Sequence, residues 1–204
     1  MMKLLKNTAL LMAIVTITAT PARAEDYIYS PDICEFQVTL PGTPQNAKRC
    51  KPDNPEDCTN ITSFTHVFGL DATVDIRLTC NKAEANMRER YSGDVMRATL
   101  EGMVGKNKLG DFESHYKEYE NAKQAVLIGS GDAGNNNKIY MAQLWIGDKS
   151  VFTIEGELIG GPHEEADDMF ADILRSAQLK TPAGETGDED EDSDKEEDND
   201  SDEE

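Results

Sequence analysis

Between residues 138 and 179 the chain reads KIYMAQLWIGDKSVFTIEGELIGGPHEEADDMFADILRSAQL, and this run limits the possible folds more than any other. Over residues 139–146, Tyr140, Ala142, Leu144 and Ile146 alternate with Ile139, Met141, Gln143 and Trp145, so both faces of one strand are largely apolar. Such a strand suits the middle of a sheet with helices laid on each side. Gly147-Asp148-Lys149 turns the chain, and residues 151–159 return with Phe152, Ile154 and Leu158 on one face and Thr153, Glu155 and Glu157 on the other. After Gly160-Gly161-Pro162, the spacing of Ala166, Met169, Phe170, Ile173, Leu174 and Ala177 predicts an amphipathic helix. Glu164, Glu165, Asp167 and Asp168 fall in its first turns, where the helix dipole favours negative charge.

The preceding residues add strands and one more helix. In CEFQVTLPG, Phe36, Val38 and Leu40 alternate with polar residues until Pro41-Gly42 stops the strand. Residues 41–60 hold four prolines and read as a long polar loop. Residues 61–70 and 73–80 read as a strand pair, with Val74, Ile76, Leu78 and Cys80 facing the core. Residues 82–104 contain no proline and many helix formers, which predicts one long helix capped by Asn81 with Glu84. Its buried stripe would be Met87, Tyr91, Val95, Ala98, Leu100 and Met103, and Gly105 would stop it. Two further strands fall at residues 112–119 and 124–129.

The first 24 residues have the form of a secretory signal: Lys3 and Lys6, an apolar run from 9 to 17, then Ala22-Arg23-Ala24. That run is shorter than the roughly 20 residues a bilayer span needs, so membrane insertion is not expected after cleavage. A periplasmic or secreted chain with four cysteines points to disulfides. Three pairings are open, and the favoured one joins Cys50 to Cys58 and Cys34 to Cys80. A zinc site is the rival reading, but the cysteines lack the Cys-x-x-Cys spacing of a zinc ribbon.

Charge divides the chain. The formal net charge is −20; residues 1–24 contribute +3 and residues 185–204, with 14 acids and one Lys, −13, leaving −10 for residues 25–184. Nucleic acid and anionic lipid are therefore poor partners, since both are held by clustered cations. Residues 183–204 read as a disordered acidic tail beyond a single domain at 25–182.

Chemistry-bearing patterns are few. Asp53, Asn54, Glu56 and Asp57 offer oxygens to a divalent cation, with calcium the natural choice, but prolines interrupt the EF-hand spacing. Gly129, Ser130, Gly131, Asp132 and Gly134 fit Gly-x-Gly-x-x-Gly and form a candidate binding loop. Asn135-Asn136-Asn137 comes next rather than a helix that could hold a phosphate, so a hairpin turn is the better reading. Glu155 and Glu157, two residues apart on a strand, offer an acid pair for general acid/base work, and an exposed polar face explains them without chemistry. His66, His115 and His163 are too scattered for a metal-ligand spacing.

The order of elements, together with CEFQVTLPG, IYMAQLWIGDKSVFTIEG and the closing ILRSAQL, resembles the Mog1/PsbP-like group over roughly residues 33–180. The resemblance implies an α/β/α sandwich in which an opening strand ending in Pro41 begins an antiparallel sheet and a last helix ends near Ser176. It also implies a non-catalytic accessory or binding domain, since members bind proteins or assist large assemblies and some are linked to divalent cations. The four cysteines and the acidic tail depart from the group's usual pattern. The expected fold is thus α+β, mainly antiparallel and disulfide-stabilised. The expected function is that of an exported binding or accessory protein of the bacterial envelope, without a cofactor, whose partner is another protein with a basic surface. The alternatives are calcium binding through the tail or residues 53–57, and a hydrolase of undefined substrate.

Overall fold

The computed structural model describes residues 25–180. The expected signal segment and acidic tail lie outside them. The described residues form ten strands: β1 (Tyr27–Tyr29), β2 (Phe36–Leu40), β3 (Gln45–Lys51), β4 (Asn54–Phe68), β5 (Ala72–Lys82), β6 (Leu109–Glu118), β7 (Lys123–Ala133), β8 (Asn136–Ile146), β9 (Ser150–Gly160) and β10 (Gln178–Leu179). The helices are α1 (Met87–Arg90), α2 (Gly93–Glu101), α3 (Val104–Asn107) and α4 (Glu164–Arg175). Seven strands make an antiparallel sheet in the order β3-β4-β5-β9-β8-β7-β6, and a second sheet has the order β1-β2-β10. The fold is α+β and mainly antiparallel, as the element order and the resemblance drawn from it imply.

The doubly apolar strand, β8, lies inside the large sheet between β9 and β7. Tyr140, Ala142, Leu144 and Ile146 meet Met96 and Leu100 of α2 on one face. On the other face Trp145 joins a core of Phe36, Val38 and Leu40 from β2, Val74, Ile76 and Leu78 from β5, and Phe170, Ile173 and Leu174 from α4. One face is thus covered by helices and the other by a helix together with the small sheet. A chain of rings runs through this second core, from Tyr29 to Phe152 to Phe36 to Trp145 to Tyr119, with centroids 5.5–6.0 Å apart. On β9, Gly156 admits α4 closely, since a Cβ there would stand 2.8 Å from the Phe170 ring.

Two devices hold the small sheet on the large one. The Cys34–Cys80 disulfide joins the approach to β2 with central strand β5, and both cysteines are buried. Beside it, Glu35 Oε2 accepts from the Lys149 and Ser150 backbone N–H groups at 2.7 and 2.8 Å and from Ser150 Oγ at 3.0 Å. This carboxylate satisfies donors at the β8–β9 turn that the hairpin leaves unpaired.

Two expectations need correction. Residues 41–60 are no loop. They form the hairpin β3–β4, with Cys50 opposite Cys58 and the disulfide crossing it. All seven residues of β3 are exposed, so no alternation betrays the strand. The single helix over 82–104 is three short ones. β5 runs on to Lys82 because it pairs with β9 as far as Ser150, which places Asn81 in a strand. The cap is Ser92, whose hydroxyl accepts from Val95 N. The phase shifts accordingly: Met96 and Leu100 are buried, while Val95 and Ala98 are exposed, and Gly105 lies within α3. The strand that ends at Pro41, β2, is the middle strand of the small antiparallel sheet; β1 and β10, too short to show periodicity, flank it.

Candidate binding surface

The two layers cover diagonally opposite halves of the large sheet. Helices α2 and α3 lie over β6–β8 on one face, while α4 and the small sheet lie over β5, β9 and part of β8 on the other. Two half-faces therefore stay open. The one beside β5 and β9 is polar: Thr65 donates to Asp75 at 2.7 Å, Arg77 pairs with Asp75 at 3.1 Å, and the Thr79 and Thr153 hydroxyls meet.

The other open half-face is apolar. Met141 pairs with Ile128 across β8–β7, and Ile139 with Leu158 across β8–β9. Ile139 is 40% exposed although it sits within the sheet. Ile128, Ile139, Met141 and Leu158 form the floor of a groove whose wall is α4, through Phe170 and Leu174. The groove continues over Ser130 to Asp111, Phe112 and Glu113 on β6. Its rim carries Asp111, Glu113 and Asp167 against one cation, Arg175. The covered end is closed by Gln143, which is buried. Its Nε2 donates to the Leu174 carbonyl at 2.9 Å, and its Oε1 accepts from Trp145 Nε1 at 2.9 Å and from Gln124 Nε2 at 3.1 Å.

Of the candidate binding, metal and acid/base residues read from sequence, only Ser130 and Gly129 lie on this surface. Gly129, Ser130, Gly131 and Asp132 belong to β7, and Gly134 takes φ 69° in the turn to β8. Gly131 is needed for close approach, since a Cβ there would fall 2.5 Å from the Lys108 carbonyl oxygen. Asp53, Asn54 and Glu56 stand exposed around the β3–β4 tip, where Asn54 Oδ1 accepts from Glu56 N at 3.3 Å; the Asp57 side chain is outside the described part. Among the described residues no three His, Cys, Asp or Glu groups come close enough to hold a metal ion. Nor is any described helix long and apolar enough to cross a membrane. His163 serves α4 as its cap, Nδ1 accepting from Ala166 N at 3.3 Å, and its ring lies 4.9 Å from Phe68.

Glu155 and Glu157 are half-buried where α3 meets the sheet, and each has work within the fold. Glu155 Oε2 accepts from the fully buried Tyr140 hydroxyl at 3.0 Å. Glu157 stands 3.9 Å from Lys138 Nζ, which donates to the Asn107 carbonyl at 2.8 Å. Burial first, then the Glu155 carboxylate, pushes the Tyr140 phenol far above its ordinary value. Burial, with a smaller contribution from Tyr27, pushes Tyr29 up to about 12. The unfolded chain ionises both near pH 10. Because the folded state holds these protons more tightly, their contribution to stability is complete below about pH 10 and is lost as pH rises through the folded values. In an alkaline titration followed by phenolate absorbance, these two of the six tyrosines should ionise only as near-UV circular dichroism collapses. Ionisation of all six while that signal holds would contradict the placement.

The apolar floor of the groove is what sequence reasoning misses. Its one signal is the second apolar face of β8, which on sequence alone implies full cover by a helix.

No family model and no curated protein matches the chain. Among solved structures, the chain is similar to the solution structure of cyanobacterial PsbP (CyanoP) from Synechocystis sp. PCC 6803, with TM-score 0.48 and 9% identity over 82% of this chain and 99% of that one. It is also similar to the crystal structure of LpqN, involved in cell envelope biogenesis of Mycobacterium tuberculosis, with TM-score 0.37 and 12% identity over 80% and 88%. The first bears the name of the group that the chain's element order resembles.

Proposed function

We propose that this chain is an exported, non-catalytic binding or accessory protein of the bacterial envelope, and that another protein sits on the apolar half-face beside α4. One observation carries the reading: Ile128, Ile139 and Met141 form an open apolar floor in an otherwise charge-rich chain. A contiguous exposed apolar patch rimmed by polar groups is the common mark of a docking site. The acidic rim suits a partner with an apolar projection inside a basic surround. Two disulfides and the signal-like start support a location outside the cytoplasm.

The test places a photo-crosslinking residue at Ile139 in the exported protein and asks what it captures in envelope extract. One protein should be captured at Ile139 but not from an equivalent probe at Val67 on β4, outside the groove. Ile139→Lys, at a part-exposed site where substitutions cost little stability, should reduce recovery of that protein about tenfold or more with near-UV circular dichroism unchanged. Equal capture at both positions, or turnover of an ester, peptide or phosphate panel by the purified chain, would overturn the proposal.

A further inference from the structure

Acids outnumber cations 40 to 20 in this chain, yet three cations fall close together on one strand. From residue 36 to residue 52 there is no acid, and Lys48, Arg49 and Lys51 fall within four residues of β3. β3 ends the seven-stranded sheet, pairs only with β4, and is exposed along its whole length. Most arginines of the fold have a carboxylate partner, as Arg77, Arg88, Arg90, Arg97 and Arg175 do. Lys48 and Arg49 have none among the described residues. Lys48 lines a groove with Asn46 and Thr62, and Tyr27, Tyr29 and Pro31 line the same groove. The Pro31 carbonyl accepts a 2.7 Å hydrogen bond from Lys180 Nζ. The last described residue is thus fastened to the rim of the groove that Lys48 lines.

Beyond Lys180 comes the most acidic segment of the molecule, with 14 acids in residues 185–204. Five residues take the chain from Lys180 to Glu185, a reach of at most about 17 Å, and the segment beyond can extend about 60 Å further. A seven-residue strand spans only about 23 Å. Tethering keeps the segment near β3 at an effective concentration of order millimolar, so several weak ion pairs suffice to hold it. We propose that the basic outer edge of β3 is the docking site of the chain's own acidic segment, residues 185–204, whose carboxylates meet Lys48 and Arg49. Docking there also shields a bare sheet edge, which otherwise invites pairing with another chain.

Carbodiimide coupling of the full mature chain tests this, because it joins a lysine amine only to a carboxylate already in contact with it. At an ionic strength of about 0.01 M, where the screening length is about 30 Å, Lys48 should couple to carboxylates of 185–204 far more than Lys106 or Lys117 does. At about 1 M salt the product should disappear. Arg49→Glu, which leaves the Lys48 amine in place, should lower the yield about fivefold. Coupling at Lys48 no greater than at Lys106 and Lys117, or a yield indifferent to Arg49→Glu, overturns the proposal. So does product found only between isotopically distinct copies, since the segment would then belong to a second molecule.

Discussion

Removing the Cys34–Cys80 disulfide by the double substitution to alanine should lower the unfolding free energy by about 4 kcal/mol, the chain-entropy value for a loop of 46 residues. The same change at Cys50 and Cys58, which close a span of 8, should cost about 2.5 kcal/mol or less. The difference grows from position as well as span. Cys34 and Cys80 are buried between the two sheets, and their loss also leaves underpacked volume beside Phe152. Cys50 and Cys58 cross an exposed hairpin end that contributes nothing to either core. Urea unfolding of the two double variants gives the comparison directly. Equal losses would mean that the small sheet is held by its apolar contacts and the Glu35 clamp, not by the covalent bond.

Gln143→Met should cost about 3 kcal/mol despite adding apolar surface, since each buried polar group left unpaired costs about 1–3 kcal/mol. The glutamine satisfies two such groups at once: the Trp145 indole N–H and the Leu174 carbonyl. Leu174 lies in the last turn of α4, where backbone carbonyls lack partners within the helix. Methionine fits the volume but can replace neither hydrogen bond. Since Trp145 is the only tryptophan, its emission reports the change in the native state as well as the unfolding midpoint. A loss below about 1 kcal/mol would show that water replaces the amide and that the closed end of the groove is wet.

Strands are legible in the sequence wherever one face is buried. β5 shows strict alternation at Val74, Ile76, Leu78 and Cys80, and every one of these is in the core. α4 is legible because its whole stripe meets one core, from Ala166 to Leu174. β3 is not, since a strand exposed on both faces carries no pattern and its neighbours Pro52 and Pro55 suggest a loop. The break before α2 is hidden because helix propensity on either side of Ser92 is high; Ser92 with Asp94 just after it is the available cap signal. The candidate surface is half legible. The double apolarity of β8 calls for two covering layers, but only tertiary packing decides where a twelve-residue helix such as α4 runs out of sheet to cover.

Both ends of the described chain emerge from one place, since β1 and β10 lie on either side of β2. β1 pairs over three residues and β10 over two, whereas β5 and β9 pair over eleven. A mechanical load applied between the two ends would therefore peel these short ladders first. The force would then pass through the Cys34–Cys80 bond into β5, the best-supported strand of the large sheet. The molecule is built to yield at its small sheet under tension while its groove keeps its shape.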